Sequence, residues 1–328
     1  MKKKLAVTFV GLAVFLPLIM FFAGNCKKAE FHSFKMDTDI RISGQGRDMA
    51  KAAKEINELL DNIDKNLNSH SSEGMIFELN SGKRVALPAD IAEMIELSEE
   101  VREKSDGAFN IAVKPLIDIW GFSHGKSGRV PEKEEIESAV KLIDNTKIEI
   151  SDDGISVSDG GKIDLGAVAK GYASDRSREI LKKHKVKYAI LDFGGNIVTY
   201  GKKPDGTDFV VGISDGDGGI YAYVFTGETC VVTSGGYERF FEEKGKRYHH
   251  LLDPHTGYPA KNGLKSVTII SENGTLADAL STACFVLGEE KGGELAESFG
   301  VQAVFLDEKG KVFTVGNPKI KLESEKED

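Results

Sequence analysis

"LDFGGNIVTYG", residues 191–201, sets two short runs of apolar and β-branched residues on either side of Gly194-Gly195. Both runs suit strands. Strands joined by so few residues turn back as antiparallel neighbours, because parallel pairing needs a crossover of a dozen or more residues. The glycine pair is open to two readings: a tight turn, or a point where backbone approaches a ligand closely.

Working outward, the same alternation of strand and helix covers the chain without a regular βαβ repeat, a solenoid period or a low-complexity linker. Residues 33–44, "SFKMDTDIRISG", alternate as a strand. Ala53, Ile56, Leu60, Ile63 and Leu67 recur at helical spacing, and a second helix is predicted from Pro88 to a stop at Gly107. A third is predicted over 131–143, a hairpin in "KIEISDDGISVS" around Asp153-Gly154, and a helix near 167–184. Several strands fall between 187 and 252, one at 265–270, then two helices and a closing hairpin near 301–314. This order predicts an α+β fold, mostly antiparallel sheets with packed helices, in two lobes over 33–315. The charged tail 316–328 is expected to be disordered.

The first residues read as an export signal rather than as part of the fold. Lys2, Lys3 and Lys4 precede an apolar run from Leu5 to Phe22, and "FAGNC" ends at Cys26. The run is also long enough to span a membrane. Small residues before Cys26 resemble a lipoprotein processing site, with Asn25 as a departure. Residues 1–25 are then a signal peptide, lipidated Cys26 an anchor and 26–32 a tether, which places the domain on the extracytoplasmic (periplasmic) side of a membrane. The formal charge of −9 and the lack of a basic cluster argue against nucleic-acid binding. Cys230 and Cys284 sit in apolar runs, where free cysteine packs as a small hydrophobe; a single disulfide between them stays open.

Besides the opening stretch, three segments and one helix carry more polar or glycine residues than their elements require. In "LADALSTACFVLG" (276–288), Asp278, Ser281 and Thr282 share one face of an otherwise apolar helix. That face is either merely wet, with hydroxyls bonded back to their own backbone, or an oxygen-rich cation site. "KIDLGAVAKGYASDR" (162–176) brings Asp164 and Lys170 to a helix start, which suits a phosphate or makes Asp164 an N-cap. "VVTSGGYERFF" (231–241) offers loop amides that could cradle an anion. "YHHLLDPHTGYPA" (248–260) holds three of the seven histidines. Adjacent His249 and His250 point to opposite faces of a strand, so one histidine as general acid or base fits better than zinc, and a plain surface histidine remains the simplest alternative.

Taken in order, "KMDT", "ELN" (78–80), "GAFNIAVKPLIDIWGF" (107–122), "DLGAVAKGYASD", "FGGN", "TSGGYERFF", "HHLLDPHTGYP" and "ADALSTACFVLG" make the chain resemble the ApbE family of FAD:protein FMN transferases. The resemblance implies an extracytoplasmic enzyme that splits FAD with Mg2+, links FMN by a phosphoester to a threonine of a partner protein, and releases AMP. Implied acceptors are subunits of sodium-translocating NADH:quinone reductase or Rnf-type complexes. It implies magnesium ligands at Asp278 and Thr282, with Ser281 alongside and the Ala167 carbonyl. FAD contacts are implied at Met36, His70, Ala108, Phe109, Asn110, Asp164, Lys170 and Leu252, and a catalytic role for His250. Three positions depart from the family pattern: Asp37 for Gly, Gly236 for Asp, and His70 where Tyr is common. The alternatives are an FAD-binding lipoprotein for flavin storage or scavenging, and an FAD pyrophosphatase without transfer.

Overall fold

The computed structural model describes residues 28–122, 128–151, 153–158 and 160–325. The expected signal peptide and Cys26 lie outside them. Strands β1 (Lys28–Lys35) and β2 (Thr38–Gln45) lead into helices α1 (Met49–Leu67), α2 (Met75–Asn80) and α3 (Ala89–Lys104). Helices α4 (Lys114–Trp120) and α5 (Lys133–Asn145), the hairpin β3 (Ile148–Ser151) and β4 (Gly154–Val157), and α6 (Ala169–Lys183) follow. Next come β5 (Tyr188–Phe193), β6 (Asn196–Gly201), β7 (Phe209–Ser214), β8 (Ile220–Thr226) and β9 (Thr229–Gly235). Then β10 (Phe240–Glu243), β11 (Lys246–His249) and β12 (Leu264–Ser271) precede α7 (Gly274–Leu287) and α8 (Glu289–Ser298). Strands β13 (Gln302–Asp307), β14 (Val312–Val315) and β15 (Ile320–Leu322) close the order.

An eight-stranded sheet, β1-β2-β5-β6-β9-β12-β13-β14, organises the molecule, and every neighbouring pair is antiparallel. The two-residue alternation of its strands sorts side chains to two different partners. Ile40, Ile42, Leu191, Phe193, Val198, Val232 and Ile269 face the main core under α1, α6 and α7. Ile197, Val231, Ile270 and Val304 face the other way and pack on Val211, Ile213, Ala222 and Val224 of a three-stranded sheet, β15-β8-β7. A second, smaller core joins α4, α5 and the β10–β11 hairpin around fully buried Trp120. The Trp120 indole donates to the Gly257 carbonyl at 2.8 Å, which ties this lobe to the 253–257 turn.

Helix α7 is set against α6 by two glycines. A Cβ on Gly171 would overlap the Gly274 carbonyl and come within 2.8 Å of Asp278 Cβ; one on Gly274 would meet the Gly171 carbonyl at 2.8 Å. From α6, Asp175 accepts the amides of Gly274 and Thr275 at 2.8 and 2.9 Å, capping α7. Gly171→Ala would gain about 1 kcal/mol of helix propensity, but the obstacle is backbone, which no rotamer relieves. We expect a net loss of roughly 1–3 kcal/mol, read by urea denaturation; an unchanged or raised midpoint would show that the helices separate freely.

The structure divides the strand predicted over 33–44 into the β1–β2 hairpin. Met36 and Asp37 turn it with φ of +52° and +60°, conformations for which Asn or Gly is the usual signal and neither is present. Asp37 thus holds a left-handed backbone at the position where the resemblance implies glycine. The segment expected as a tether contributes most of β1 from Lys28, and the tail expected to be disordered from 316 pairs through β15 with β8. At the opening stretch the glycines form the tight turn. Gly194 and Gly195 have φ of +64° and +93° and join β5 to β6, while Thr38 packs where a Gly194 side chain would stand.

Candidate functional site

One cleft runs between the sheet end, α1, α6, α7 and the small lobe. Met36, His70, Ala108, Phe109, Asn110, Asp164, Ala167, Lys170, His250, Leu252, Asp278 and Thr282 all line it. Residues more than two hundred positions apart therefore share a single surface. Ser281 does not. It is fully buried behind Asp278, its hydroxyl donates to the Asp278 carbonyl at 2.9 Å and lies 2.7 Å from Ser234 Oγ. For Ser281 the back-bonding reading is the one the geometry shows, and its place is a support rather than the cleft wall.

Asp278 is the focus of the polar wall. Only 3% of it is exposed. Its Oδ2 accepts the Gly171 amide at 2.8 Å, and Lys170 Nζ stands 3.9 Å from Oδ1. Burial raises the Asp278 carboxyl above the usual carboxylate range, and Lys170 and the Gly171 amide oppose that rise. At such depth the ionised form of a carboxylate is favoured only beside positive charge. Thr282 adds a hydroxyl one helical step on, 3.4 Å from Ser234 Oγ, and Ala167 lines the same wall just before α6. This all-oxygen set suits a hard divalent cation that keeps water or substrate oxygens as its other ligands. Among the described residues no three His, Cys, Asp or Glu side chains converge as a metal cage.

His250 faces the cleft from the residue after β11. Its Nδ1 lies 3.2 Å from the Arg239 carbonyl, which can only accept, so Nδ1 carries the hydrogen and Nε2 keeps its lone pair. Burial, then the Arg239 charge, holds the imidazole well below its ordinary range, so it is neutral at pH 7. The other two histidines of the cluster go elsewhere. His249 is turned inward, edge-on to Phe285 and 3.1 Å from the Ala260 carbonyl, while His255 bonds the Asp106 carbonyl at 2.7 Å.

The opposite end of the cleft is built from three segments. Asp164 is no N-cap, since α6 starts at Ala169. Instead its Oδ1 accepts the Gly166 amide at 2.9 Å and its Oδ2 accepts the Ser69 hydroxyl. The strand-like run before it is held by Asn80, which bonds both the amide and the carbonyl of Ile163 at 2.7 and 2.9 Å. That explains why "ELN" matters without touching the cleft. Asn110 accepts the Ala112 amide at 2.8 Å, and Ala108 and Phe109 are buried beneath the surface they shape. His70 receives Lys114 Nζ at its Nδ1, 3.2 Å away.

Ser69, Ser234, Glu238 and Arg239 also line the cleft and Lys114 contacts His70, and sequence reasoning singled out none of the five. Lys114 is buried and pairs with Asp118 at 2.9 Å, a spacing of four that reads in sequence as an ordinary helical ion pair. Glu238 and Arg239 line the cleft from the turn after β9. That turn is not an amide cradle at Gly236, whose N–H goes to the Lys265 carbonyl.

Comparison with known proteins agrees with this layout. Residues 36–305 match the ApbE family. The FAD:protein FMN transferase of Treponema pallidum is 35% identical over 279 residues, covering 78% of this chain and 76% of that one. A Klebsiella pneumoniae FAD:protein FMN transferase is 33% identical over 284 residues, covering 83% and 86%. Among solved structures, the ApbE protein of Thermotoga maritima superposes with a TM-score of 0.81 at 34% identity, covering 88% of this chain and 97% of that one. The ApbE flavin transferase of Vibrio cholerae shares the fold at a TM-score of 0.78. With the matched residues covering strands β2 to β12, both helices of the Asp278 wall and the histidine turn, the chain belongs to the ApbE family.

Proposed function

We propose that this chain is an FAD:protein FMN transferase, acting with Mg2+ on FAD and on a threonine of a partner protein. The observation that carries the reading is the meeting, in one cleft, of the buried Asp278 and Lys170 pair with a neutral His250 whose Nε2 is free to accept a proton. Such a site is built for phosphoryl transfer, where positioning and charge stabilisation matter more than covalent chemistry by the protein.

In this reading the pyrophosphate of FAD lies by Lys170, and the flavin extends toward His70 and the 108–110 segment. The acceptor threonine oxygen attacks the phosphorus of the FMN half, the bond from that phosphorus to the AMP oxygen breaks, and AMP leaves. The hydroxyl proton passes to His250 Nε2. Lys170 offsets charge on the phosphoryl oxygens. Magnesium, which Asp278, Thr282 and the Ala167 carbonyl would hold, supplies charge neutralisation at the pyrophosphate.

The basic and apolar leader ending at Cys26 supports an extracytoplasmic, lipid-anchored enzyme. Among the described residues no helix is long and apolar enough to cross a membrane. Acceptors of the class implied by the resemblance are subunits of sodium-translocating NADH:quinone reductase or Rnf-type complexes.

The test is incubation of the chain with FAD, Mg2+ and such a subunit, with mass spectrometry for the FMN adduct and chromatography for AMP. Adduct and AMP together are expected. AMP without adduct would make the protein a pyrophosphatase, and intact bound FAD would make it a flavin store.

A further inference from the structure

Transfer to a protein needs a second substrate at the phosphorus, and the cleft has a side chamber of about 480 Å³. The two spaces meet at Asp37, Lys170, Thr233, Glu238 and Arg239, which line both. The chamber floor is the face of the large sheet turned away from the helices, with Asp192 of β5 and Ile197 of β6. Its overhang is β7, through Val211, Gly212 and Ser214.

Strand β7 is the outermost strand of the small sheet and, among the described residues, pairs only with β8. The small sheet packs on β6, β9, β12 and β13, through Ile197, Val231, Ile270 and Val304. It therefore stops short of β5, whose Ile190 stays 37% exposed while Ala189 and Leu191 beside it are fully buried on the helix side. A strand edge overlooking an open shelf is a template for one more strand, since its outward N–H and C=O groups form a ready row of partners. At the Ser214 end the edge reaches the cleft: Tyr237 OH lies 3.4 Å from the Ser214 carbonyl, and Glu238 and Arg239 follow it in the same turn. Six residues of β7 offer roughly 20 Å of edge.

We infer that the acceptor protein docks by adding an extended segment to the free edge of β7, above β5 and β6, so that its hydroxyl reaches Lys170 from the Ser214 end. This rests on the transferase reading. The chamber carboxylates Asp37, Asp192 and Glu238 outnumber its cations Lys170 and Arg239, which disfavours an acidic segment.

Ser214→Trp would obstruct the edge outside the FAD cleft. The expected result is at least a tenfold rise in KM for the acceptor subunit used above, on the order of a lost interface anchor, with FAD binding unchanged. Hydrogen exchange supplies a readout independent of that variant's folding: acceptor should slow the 209–214 amides of the wild-type chain, and FAD alone should not. An unchanged KM, protection at the β1 or β14 edge instead, or slowing of β7 by FAD alone would each overturn the docking mode. A wild-type chain that binds FAD but forms no adduct would overturn the transferase reading and the docking with it.

Discussion

Asp278→Asn is expected to lower FMN transfer by on the order of 10³, because divalent-cation stabilisation of a phosphoryl group is worth several kcal/mol. The fold should not suffer in proportion. Asn retains an acceptor for the Gly171 amide and removes a charge that burial disfavours. The sign follows from the raised carboxyl: in the folded chain it binds its proton more tightly than in the unfolded chain. Without a cation, wild-type stability therefore falls as pH rises from the ordinary carboxylate range through the raised folded value. The variant lacks that loss, so in chelator near pH 7 it should melt no lower than wild type. Added magnesium should then stabilise only wild type, by about 2.7 kcal/mol at a hundred times its dissociation constant. Thermal melts with magnesium and with chelator check both halves. Equal stabilisation of the two proteins would place the cation elsewhere.

His250→Ala is expected to reduce turnover by a factor on the order of 10²–10⁴, the range for removal of a positioned general base. FAD binding should be largely intact, since the imidazole is anchored to the Arg239 carbonyl on one side and open to the cleft on the other. The lowered imidazole value also sets the pH dependence. A base held below its ordinary range stays unprotonated when free histidine would already be charged. Transfer should therefore show no loss of base through pH 6.5, the ordinary histidine value, and decline only in more acidic solution. Single-turnover rates across pH, with FAD saturating, test this. A wild-type rate in the alanine variant, or an acid limb at the ordinary histidine value, would remove the role.

Much of this architecture is legible in local sequence. The periodic positions of α1 and the pairing of β3 with β4 are near-neighbour effects, and the structure has them, while α3 ends at Lys104, ahead of the stop expected at Gly107. The β1–β2 hairpin was not legible, because its turn places Met and Asp where local preference would call for Gly or Asn, and only the pairing on either side imposes it. The polar face of α7 shows the same division. Spacing put Asp278, Ser281 and Thr282 on one face but left open whether that face was wet, back-bonded or a cation site.

What the sequence by itself determined is therefore the kind of elements and their order, together with the family to which their motifs belong. Those depend on interactions within a few residues and on motifs read in line. What only the tertiary structure decided is which polar groups share a surface. Asp278 is a site because Gly171 and Gly274 let two helices close until an amide from one meets the carboxylate of the other. Ser281 is a support because α7 also packs on β9, which buries it against Ser234. Lys114 reaches His70, and β7 keeps a free edge beside the cleft, through contacts between segments far apart in the chain. Packing distance, which no local pattern encodes, makes each of those choices.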